Sequence, residues 1–493
     1  MGNVPVLFCD VNQMEGEDTN DISSNLDEIS LRNAKYLEFV KEGGESGLYK
    51  CGFEYRKTYC TPQCSDSETH CDACLTSLFH VESGNKITSF NWKSYSKDTI
   101  MYGHVAKLCQ EITQNRIQSH YGMYFHPIPH RINKYPLLHM LISNQLRQSN
   151  DRNNKKHNNN KEDTPIFLVL PGKGVSRAGI LSTKHLVESS IEQGSANCHI
   201  EEAQKKRGYN VVLIDSNAWG RHVKGECLHT SLSYFVKTFL TSYNLKKPKI
   251  YILAHSASGG HLVRYLMKEQ HTIHNSTTTQ KQTTPPTKLF DHIQAIAFTD
   301  STHNIQWLKH STEDKTQPNI YESLSDFLQS DKCVYIKYNS EHPSDTFIDH
   351  KERLSGEDYY CQKNTHSKTS TMTTAQYYHK RRFGNIPTVW AGTSDHSAMC
   401  WVARHYIWEF FDRHSIPKQE SHVILKKEPE MSPKNIQPNI TFTNTIPKAS
   451  YMDLRHYQQT NHANQNLYET NRFHLTNSGT STSSTSIITV GSL

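Results

Sequence analysis

The sequence has no long hydrophobic run and no large excess of charge of one sign. None of its apolar stretches approaches the roughly 18 residues of a membrane-spanning helix, so we expect no transmembrane segment and no membrane partner. Its 54 lysines and arginines stand against 48 aspartates and glutamates, which leaves a net charge of +6 over 493 residues. A charge this small on a chain this long does not by itself indicate nucleic-acid binding.

Hydrophobic residues are also scarce, at 35 % of the chain. An ordinary globular domain is roughly 45–50 % apolar when glycine is counted. Length alone would allow about three domains, but we expect one sizeable core diluted by polar inserts and tails. The changes in composition predict a disordered tail at 1–30, an N-terminal segment at 31–148 with a Cys-rich insert at 51–80 and a helix at 98–117, a linker at 149–163, a main domain at 164–415 with a polar insert at 270–288, and a disordered tail at 416–493.

The first residues show neither the basic segment nor the apolar run of a secretory signal. We therefore expect the 12 cysteines to be mostly reduced thiols in the nucleus and cytoplasm. Four of them, Cys60, Cys64, Cys71 and Cys74, have spacings similar to those of zinc ligands, and tetrahedral zinc takes four ligands of this kind. Because acidic residues lie among them, the segment has two interpretations, a zinc site and a solvated loop.

Six short apolar runs, most of them followed by a polar or glycine-containing cluster, indicate a parallel sheet. Strands of such a sheet are buried on both faces and are therefore continuously apolar. Helical spacing between most of the runs predicts an α/β fold, with a mostly parallel sheet and helices on both faces. Functional sites in these sheets lie at the carboxyl ends of the strands. The six runs are Ile166–Leu170, Asn210–Ile214, Lys249–Leu253, Ile293–Phe298, Cys333–Ile336 and Pro387–Trp390.

The third run leads into the sequence AHSASGG at 254–260, placed between a predicted strand and a predicted helix. This is the context of a nucleophile elbow, a sharp turn that presents a serine above the sheet. Ser256 is the predicted nucleophile, and the N–H of Ala257 is a predicted oxyanion donor. The pattern is Ala-x-Ser-x-Ser rather than Gly-x-Ser-x-Gly. In the alternative interpretation, the small residues at this turn serve only the close packing of the strand and the helix.

The loop after the first run offers a second oxyanion donor, from the backbone of Gly172 or Lys173. Its sequence PGKG lacks the full spacing of a phosphate-binding P-loop, so we do not expect nucleotide binding.

A serine nucleophile needs a base, and in this fold the chain order is serine, acid, histidine. His396 follows the sixth run, where that order places the base. Two aspartates are candidates for the acid. Asp345 follows the fifth run, which is the more usual position, whereas Asp300 opens a tight polar cluster at the end of the fourth run. The sequence leaves this choice open.

Several blocks resemble a known family, the argonaute-binding protein two (Arb-two) domain family. The resemblance covers roughly residues 45–415, without the Cys-rich insert and the linkers, and it implies an α/β-hydrolase-like fold. It matches Ser256 to the family's proposed nucleophile and His396 to a histidine after the last strand. The blocks are PGKGVSRAG at 171–179, GYNVVLIDSN at 208–217, AHS at 254–256 with GG at 259–260, AFTDSTHN at 297–304 and AGTSDH at 391–396.

The same resemblance implies a regulatory role in small-RNA-linked gene control. We expect binding to argonaute-type, chromatin or splicing proteins, with residual serine hydrolase activity. The alternative function is an active, esterase-like serine hydrolase that uses Ser256, one of the two aspartates and His396. The sequence leaves open whether the chain is an enzyme or a pseudoenzyme and whether it contacts RNA directly. Apart from structural zinc in the Cys-rich insert, we expect no cofactor.

Overall fold

A computed structural model describes most of the patterned part of the chain. The two predicted tails, at 1–30 and 416–493, lie outside it, as does most of the linker predicted at 149–163. The described residues are 34–35, 37–61, 64, 73–95, 99–129, 138–150, 164–219, 225–241, 248–279, 287–308, 320–339, 342, 344 and 381–415.

The six apolar runs form strands, and further strands precede them. The strands are β1 (Phe53–Thr58), β2 (Leu75–His80), β3 (Met123–Ile128), β4 (Leu138–Ser143), β5 (Ile166–Leu170), β6 (Asn210–Ile214), β7 (Ile250–His255), β8 (Ile293–Thr299), β9 (Cys333–Lys337) and β10 (Thr388–Trp390).

Helices lie between most of the strands, and none of the described helices is long and apolar enough to cross a bilayer. The helix predicted at 98–117 spans Thr99–Tyr121. The helices are α1 (Gly44–Lys50), α2 (Trp92–Tyr95), α3 (Thr99–Tyr121), α4 (Asn144–Asn150), α5 (Thr183–Glu188), α6 (Ile191–Gly194), α7 (Asn197–Glu201), α8 (Glu226–Phe235), α9 (Ala257–Thr279), α10 (Glu322–Leu328), α11 (Met399–Val402) and α12 (Arg404–Ser415), with π-helical turns at Glu202–Lys206 and Val236–Leu240 and 3-10 turns at Phe290–His292, Ile305–Leu308 and His396–Ala398.

Eight strands form one sheet in the order β3-β4-β6-β5-β7-β8-β9-β10. Strand β4 is antiparallel to both of its neighbours, and the pairs from β6 to β10 are all parallel. This strand order, with one antiparallel strand next to one edge, is that of an α/β hydrolase. The predicted fold class is therefore confirmed.

Strand β5 shows why the central strands are continuously apolar. Ile166, Leu168 and Leu170 belong to one hydrophobic cluster, which also holds buried side chains of α8, α9 and α10. Phe167 and Val169 point into a second cluster, which also holds side chains of α3, α7, α11 and α12. Because successive side chains leave opposite faces of a strand, helices on both faces require an apolar residue at every position. The polar residues are thereby restricted to the strand ends, where the candidate site lies.

The β1–β2 hairpin lies apart from the large sheet and packs against α5 and α6. The Tyr55 hydroxyl donates a hydrogen bond to the Leu186 carbonyl at 2.8 Å, and the backbone N–H of Thr76 donates to Glu192 Oε2 at 2.8 Å. Buried side chains from β1, β2, α3 and α5 share a third hydrophobic cluster. The described N-terminal residues are thus packed onto the main domain through a common core.

Candidate active site

Ser256 occupies a strained turn between β7 and α9. Its φ angle is 54°, in the left-handed region that residues other than glycine seldom adopt. Three backbone hydrogen bonds hold the turn. The Ser256 N–H donates to Thr299 O at 2.9 Å, and Ser256 O accepts from Gly259 N at 3.2 Å and from Thr302 N at 3.1 Å. Backbone strain of this kind is typical of functional residues and persists only where the surrounding structure imposes it. Here the hydrogen bonds to Thr299 and Thr302 impose it.

The turn forms without the two glycines of the commoner pattern. Ala254 is fully buried as part of β7. Ser258 is 1 % exposed, and its hydroxyl donates a hydrogen bond to the carbonyl of Pro171. The departure at position 258 therefore has a structural use, because this side chain ties the start of α9 to the loop after β5.

The two glycines at the start of α9 allow close contact with the loop after β8. A Cβ atom on Gly259 would lie 2.0 Å from Ser301 Oγ and 2.9 Å from Phe298 Cδ1. A Cβ atom on Gly260 would lie 2.7 Å from Thr302 Oγ1. Side chains at either position would push the helix and the loop apart. Since that loop begins at Asp300, this packing sets the distance between the nucleophile and the acid.

The structure brings Asp300 into contact with His396. Asp300 has a φ angle of 42°, and its backbone N–H donates to Ile336 O at 2.9 Å. Its Oδ2 accepts a hydrogen bond from His396 Nδ1, and its Oδ1 accepts one from the Tyr335 hydroxyl at 3.4 Å. Asp345, the other aspartate considered, lies outside the described residues. Of the two predicted acids, Asp300 is therefore the one with an observed partner.

The His396 ring lies next to the nucleophile turn. It stacks on the ring of His255, the residue before Ser256, with 4.7 Å between ring centroids and 30° between planes. Among the described residues, no hydrogen bond joins Ser256 Oγ to His396. Hydrogen bonds between a nucleophile and its base are commonly long until substrate binds, so the proximity of the rings is the relevant observation. The His396 side chain is 45 % exposed and open to a substrate.

His255 differs from His396 in its electrostatics. Burial, together with the nearby charge of His396, lowers the pKa of His255 to about 4. Its Nδ1 is 3.0 Å from the Thr299 hydroxyl. His255 is therefore neutral near pH 7, and only His396 of the stacked pair is placed to exchange a proton with solvent or substrate. His255 is not among the site residues predicted from the sequence, although its position beside the predicted nucleophile was the available signal.

The loop after β5 lies directly against Ser256. A Cβ atom on Gly172 would be 3.0 Å from Ser256 Cβ and 3.5 Å from Ser256 Oγ. Within the described part of the chain, the backbone N–H groups of Gly172, Lys173 and Ala257 donate to no other residue, so both loop candidates stay open. Gly172 and Lys173 belong to the loop that contacts Ser256, and Ala257 is the first residue of α9. These N–H groups are available to a negatively charged oxygen beside Ser256 Oγ.

Asn217 holds that loop in shape. Its Nδ2 donates to the carbonyls of Gly172 at 2.9 Å and Ser176 at 2.8 Å, and its Oδ1 accepts from Gly174 N at 3.0 Å. Three hydrogen bonds from one side chain fix a backbone that has no regular structure. Asn217 lies in one of the blocks quoted above, but sequence analysis assigned it no function.

Asp395 anchors the turn that carries His396. Its Oδ1 accepts from Ser397 N at 2.8 Å, and its Oδ2 lies 3.2 Å from His185 Nε2 and 3.5 Å from Lys184 Nζ. Burial raises the pKa of Asp395, but the proximity of His185 and the charge of Lys184 outweigh it, so the net pKa is lowered. The carboxylate is therefore ionised near pH 7 and ties α5 to the histidine turn.

The predicted zinc ligands lie elsewhere, next to the β1–β2 hairpin. Cys60, Cys64 and Cys74 have their sulfur atoms within 4.8 Å of one another. Cys71 falls in a stretch that the structure does not describe, so its place in the ligand set stays a prediction.

Comparisons with known proteins add little. No protein-family model and no curated protein matches the chain. Among solved structures, a dienelactone hydrolase from Anabaena variabilis is 12 % identical, with 59 % of this chain and 97 % of that one covered and a TM-score of 0.30. A Pyrococcus furiosus esterase is 12 % identical, with 60 % and 94 % covered and a TM-score of 0.29. Likenesses this weak carry no argument, and the fold assignment rests on the strand order.

Proposed function

We propose that this protein is a serine hydrolase that cleaves carboxylic esters. The observation that carries the proposal is the contact between Asp300 and His396 at the carboxyl edge of the sheet, beside a serine in a strained strand-to-helix turn. A serine, a histidine and an oriented acid at this edge, in this chain order, are the parts of an acyl-transfer site. The open N–H groups of Ala257 and of Gly172 or Lys173 supply the remaining part, an oxyanion hole.

In the first half of the proposed reaction, Ser256 Oγ attacks the ester carbonyl and His396 Nε2 takes the serine proton. Asp300 accepts the Nδ1–H of His396, which leaves Nε2 unprotonated in the neutral ring. The carbonyl oxygen becomes negatively charged and accepts hydrogen bonds from Ala257 and from Gly172 or Lys173. The tetrahedral intermediate then collapses, the alcohol leaves with the proton from His396, and an acyl group stays on the serine.

In the second half, water attacks the acyl group and gives a proton to His396. Collapse of this intermediate releases the carboxylic acid and returns the proton to Ser256. Because burial lowers the pKa of His255 to about 4, its ring is a weak base and does not compete for this proton. The proposal thus assigns base and acid steps to a single ring.

The test is labelling by a fluorophosphonate probe, which reacts with serines activated by a base and an oxyanion hole. We expect the wild type and Ser119→Ala, which removes an exposed serine on α3, to be labelled equally. We expect Ser256→Ala to show no labelling and no hydrolysis of a short-chain p-nitrophenyl ester. Circular dichroism would establish that all three proteins are folded. A folded wild type that neither reacts with the probe nor hydrolyses the ester would overturn the proposal.

The quoted sequence blocks, above all 171–179 and 297–304, favour a second candidate function. We also propose that the chain is an Arb-two-type regulatory protein of the nucleus and cytoplasm that binds argonaute-type, chromatin or splicing proteins. This function does not require Ser256 chemistry, so the Ser256→Ala variant would retain the partners. Affinity purification of both proteins under matched conditions tests it. Absence of all three partner classes from the wild-type sample would count against it.

A further inference from the structure

Three cysteines come together on the long connection between β1 and β2. The antiparallel register pairs Thr58 with Leu75 at the last position of the ladder. Cys60 follows β1 by two residues and Cys74 directly precedes β2, so the pairing of the two strands places these residues close together. Cys64, four residues beyond Cys60, completes a group whose sulfur atoms all lie within 4.8 Å of one another.

The sulfur–sulfur distances fit a shared metal ion. Cys60 Sγ is 3.4 Å from Cys64 Sγ and 3.7 Å from Cys74 Sγ. A disulfide bond needs about 2.05 Å between sulfur atoms, which is far shorter. Tetrahedral zinc with bonds of about 2.3 Å to sulfur separates its ligand atoms by about 3.8 Å. The observed distances lie close to the second value.

Polar groups next to the cluster donate hydrogen bonds to its sulfur atoms. The backbone N–H of Cys60 donates to Cys74 Sγ at 3.5 Å, and the Thr61 hydroxyl donates to Cys64 Sγ at 3.3 Å. Such outer hydrogen bonds accompany metal-bound thiolates. Cys51 lies in the same part of the chain but is not a member of the cluster. Burial raises the pKa of its thiol to about 11 and keeps it protonated.

We propose that Cys60, Cys64 and Cys74 bind a zinc ion that ties together the two ends of the connection between β1 and β2. Thiolates are soft ligands that zinc accepts, whereas magnesium and calcium prefer oxygen. The hairpin is docked on α5 and α6 at its other residues, through Tyr55 and Thr76. The ion would add a cross-link between the residue that precedes β2 and the residues that follow β1, which is a structural role.

Zinc content of the full-length protein tests the proposal. The protein would be prepared with zinc and a reductant, freed of loose metal and analysed by elemental mass spectrometry. We expect about one zinc per chain in the wild type, as one tetrahedral site takes one ion, and a large loss in Cys60→Ser, Cys64→Ser and Cys74→Ser. Cys51→Ala is the matched control, since it removes a protonated thiol and should keep its zinc. Cobalt substitution of the wild type should give a thiolate-to-metal charge-transfer band.

A second measurement avoids substitutions. Stripping zinc from the wild type with a chelator should speed amide hydrogen exchange in β1 and β2, and added zinc should reverse the change. Three results would overturn the proposal. These are a reduced, folded wild type that takes up no zinc, zinc retained at wild-type level in all three serine variants, and a disulfide among these cysteines in freshly isolated protein.

Discussion

At the scale of single residues, Ser256 and Asp300 are the two described residues other than glycine with a positive φ. They end adjacent parallel strands, β7 and β8, and each is held by a backbone hydrogen bond to the next strand along the sheet. A residue in such a conformation costs of order 1–3 kcal/mol and persists only where its surroundings impose it. The same backbone conformation follows both strands, Asp300 contacts His396, and the His396 ring stacks on His255, the residue before Ser256.

The acid is tested by Asp300→Asn. An amide in place of the carboxylate no longer selects the tautomer with Nδ1–H and cannot stabilise the imidazolium, so turnover of the ester should fall about 10³–10⁴-fold. The fold should be retained, because the substitution keeps the shape of the side chain. Kinetics with the p-nitrophenyl ester and the rate of fluorophosphonate labelling measure the effect.

The control for that change is Asp326→Asn, an exposed position on α10, which should leave both rates unchanged. Wild-type turnover in Asp300→Asn would show that Asp300 is not the acid. Asp345 would then be the next residue to replace.

At the scale of secondary-structure elements, the site depends on the contact between α9 and the loop after β8. Gly259 lies against Ser301, which is itself 3 % exposed and whose Oγ lies 2.9 Å from His303 Nδ1. Because Ser301 has no open space into which to turn, a methyl group on Gly259 must displace backbone. The first turn of α9 thus requires a residue without a side chain at position 259. Helix propensity alone would disfavour this choice, since glycine is unfavourable inside a helix.

Gly259→Ala should therefore destabilise the protein, by about 1–3 kcal/mol for an overpacked site. The matched change is Gly103→Ala in α3, where a Cβ atom would meet nothing within 4 Å. That variant should be more stable than the wild type by about 0.5–1 kcal/mol, the helix-propensity difference. Chemical denaturation measures both. A Gly259→Ala protein as stable as Gly103→Ala would contradict the packing described for this contact.

At the scale of the whole molecule, buried neutral histidines make the fold sensitive to acid. Burial lowers the pKa of both His199 and His255 to about 4. His199 Nε2 faces the Cys400 carbonyl at 3.0 Å, and its Nδ1 accepts from Trp408 Nε1 at 3.2 Å, so only the neutral ring fits both partners. These contacts join α7 to α11 and α12 across one face of the sheet.

The sign of the pH dependence follows from these pKa values. An unfolded histidine titrates near pH 6.5, so below that pH the unfolded chain binds protons that the folded chain does not. The contribution of each histidine to stability is fully present above about pH 6.5 and decreases as the pH falls toward about 4, by up to about 1.4 kcal/mol per pH unit. We expect the melting temperature to fall over this range.

His199→Gln checks the assignment, because glutamine keeps a neutral donor and acceptor but does not titrate. Its melting temperature should depend less steeply on pH than that of the wild type, even if it is lower overall. His120→Gln, at an exposed position on α3, should keep the wild-type slope. Equal slopes in His199→Gln and the wild type would refute a role for this histidine in acid sensitivity.

The sequence by itself determined the central strands and the polar residue types at their ends. Strands β5 to β10 follow from six apolar runs, because a strand covered on both faces must be apolar at consecutive positions. The position of Ser256 between a strand and a helix, and of His396 after the last run, could also be predicted, since both depend on local order along the chain. The Arb-two resemblance and its partners stay predictions.

Only the tertiary structure decided which distant groups meet. Strands β3 and β4 are not continuous apolar runs, and their place in the sheet comes from pairing with β6. Asp300 follows β8 and His396 follows β10, so their contact depends on the order of β8, β9 and β10 in the sheet. Spacing along the chain does not encode that order. The three sulfur atoms likewise meet through the register of the β1–β2 hairpin. Contacts between residues far apart in sequence are set by strand order and register, which depend on the packing of the whole domain.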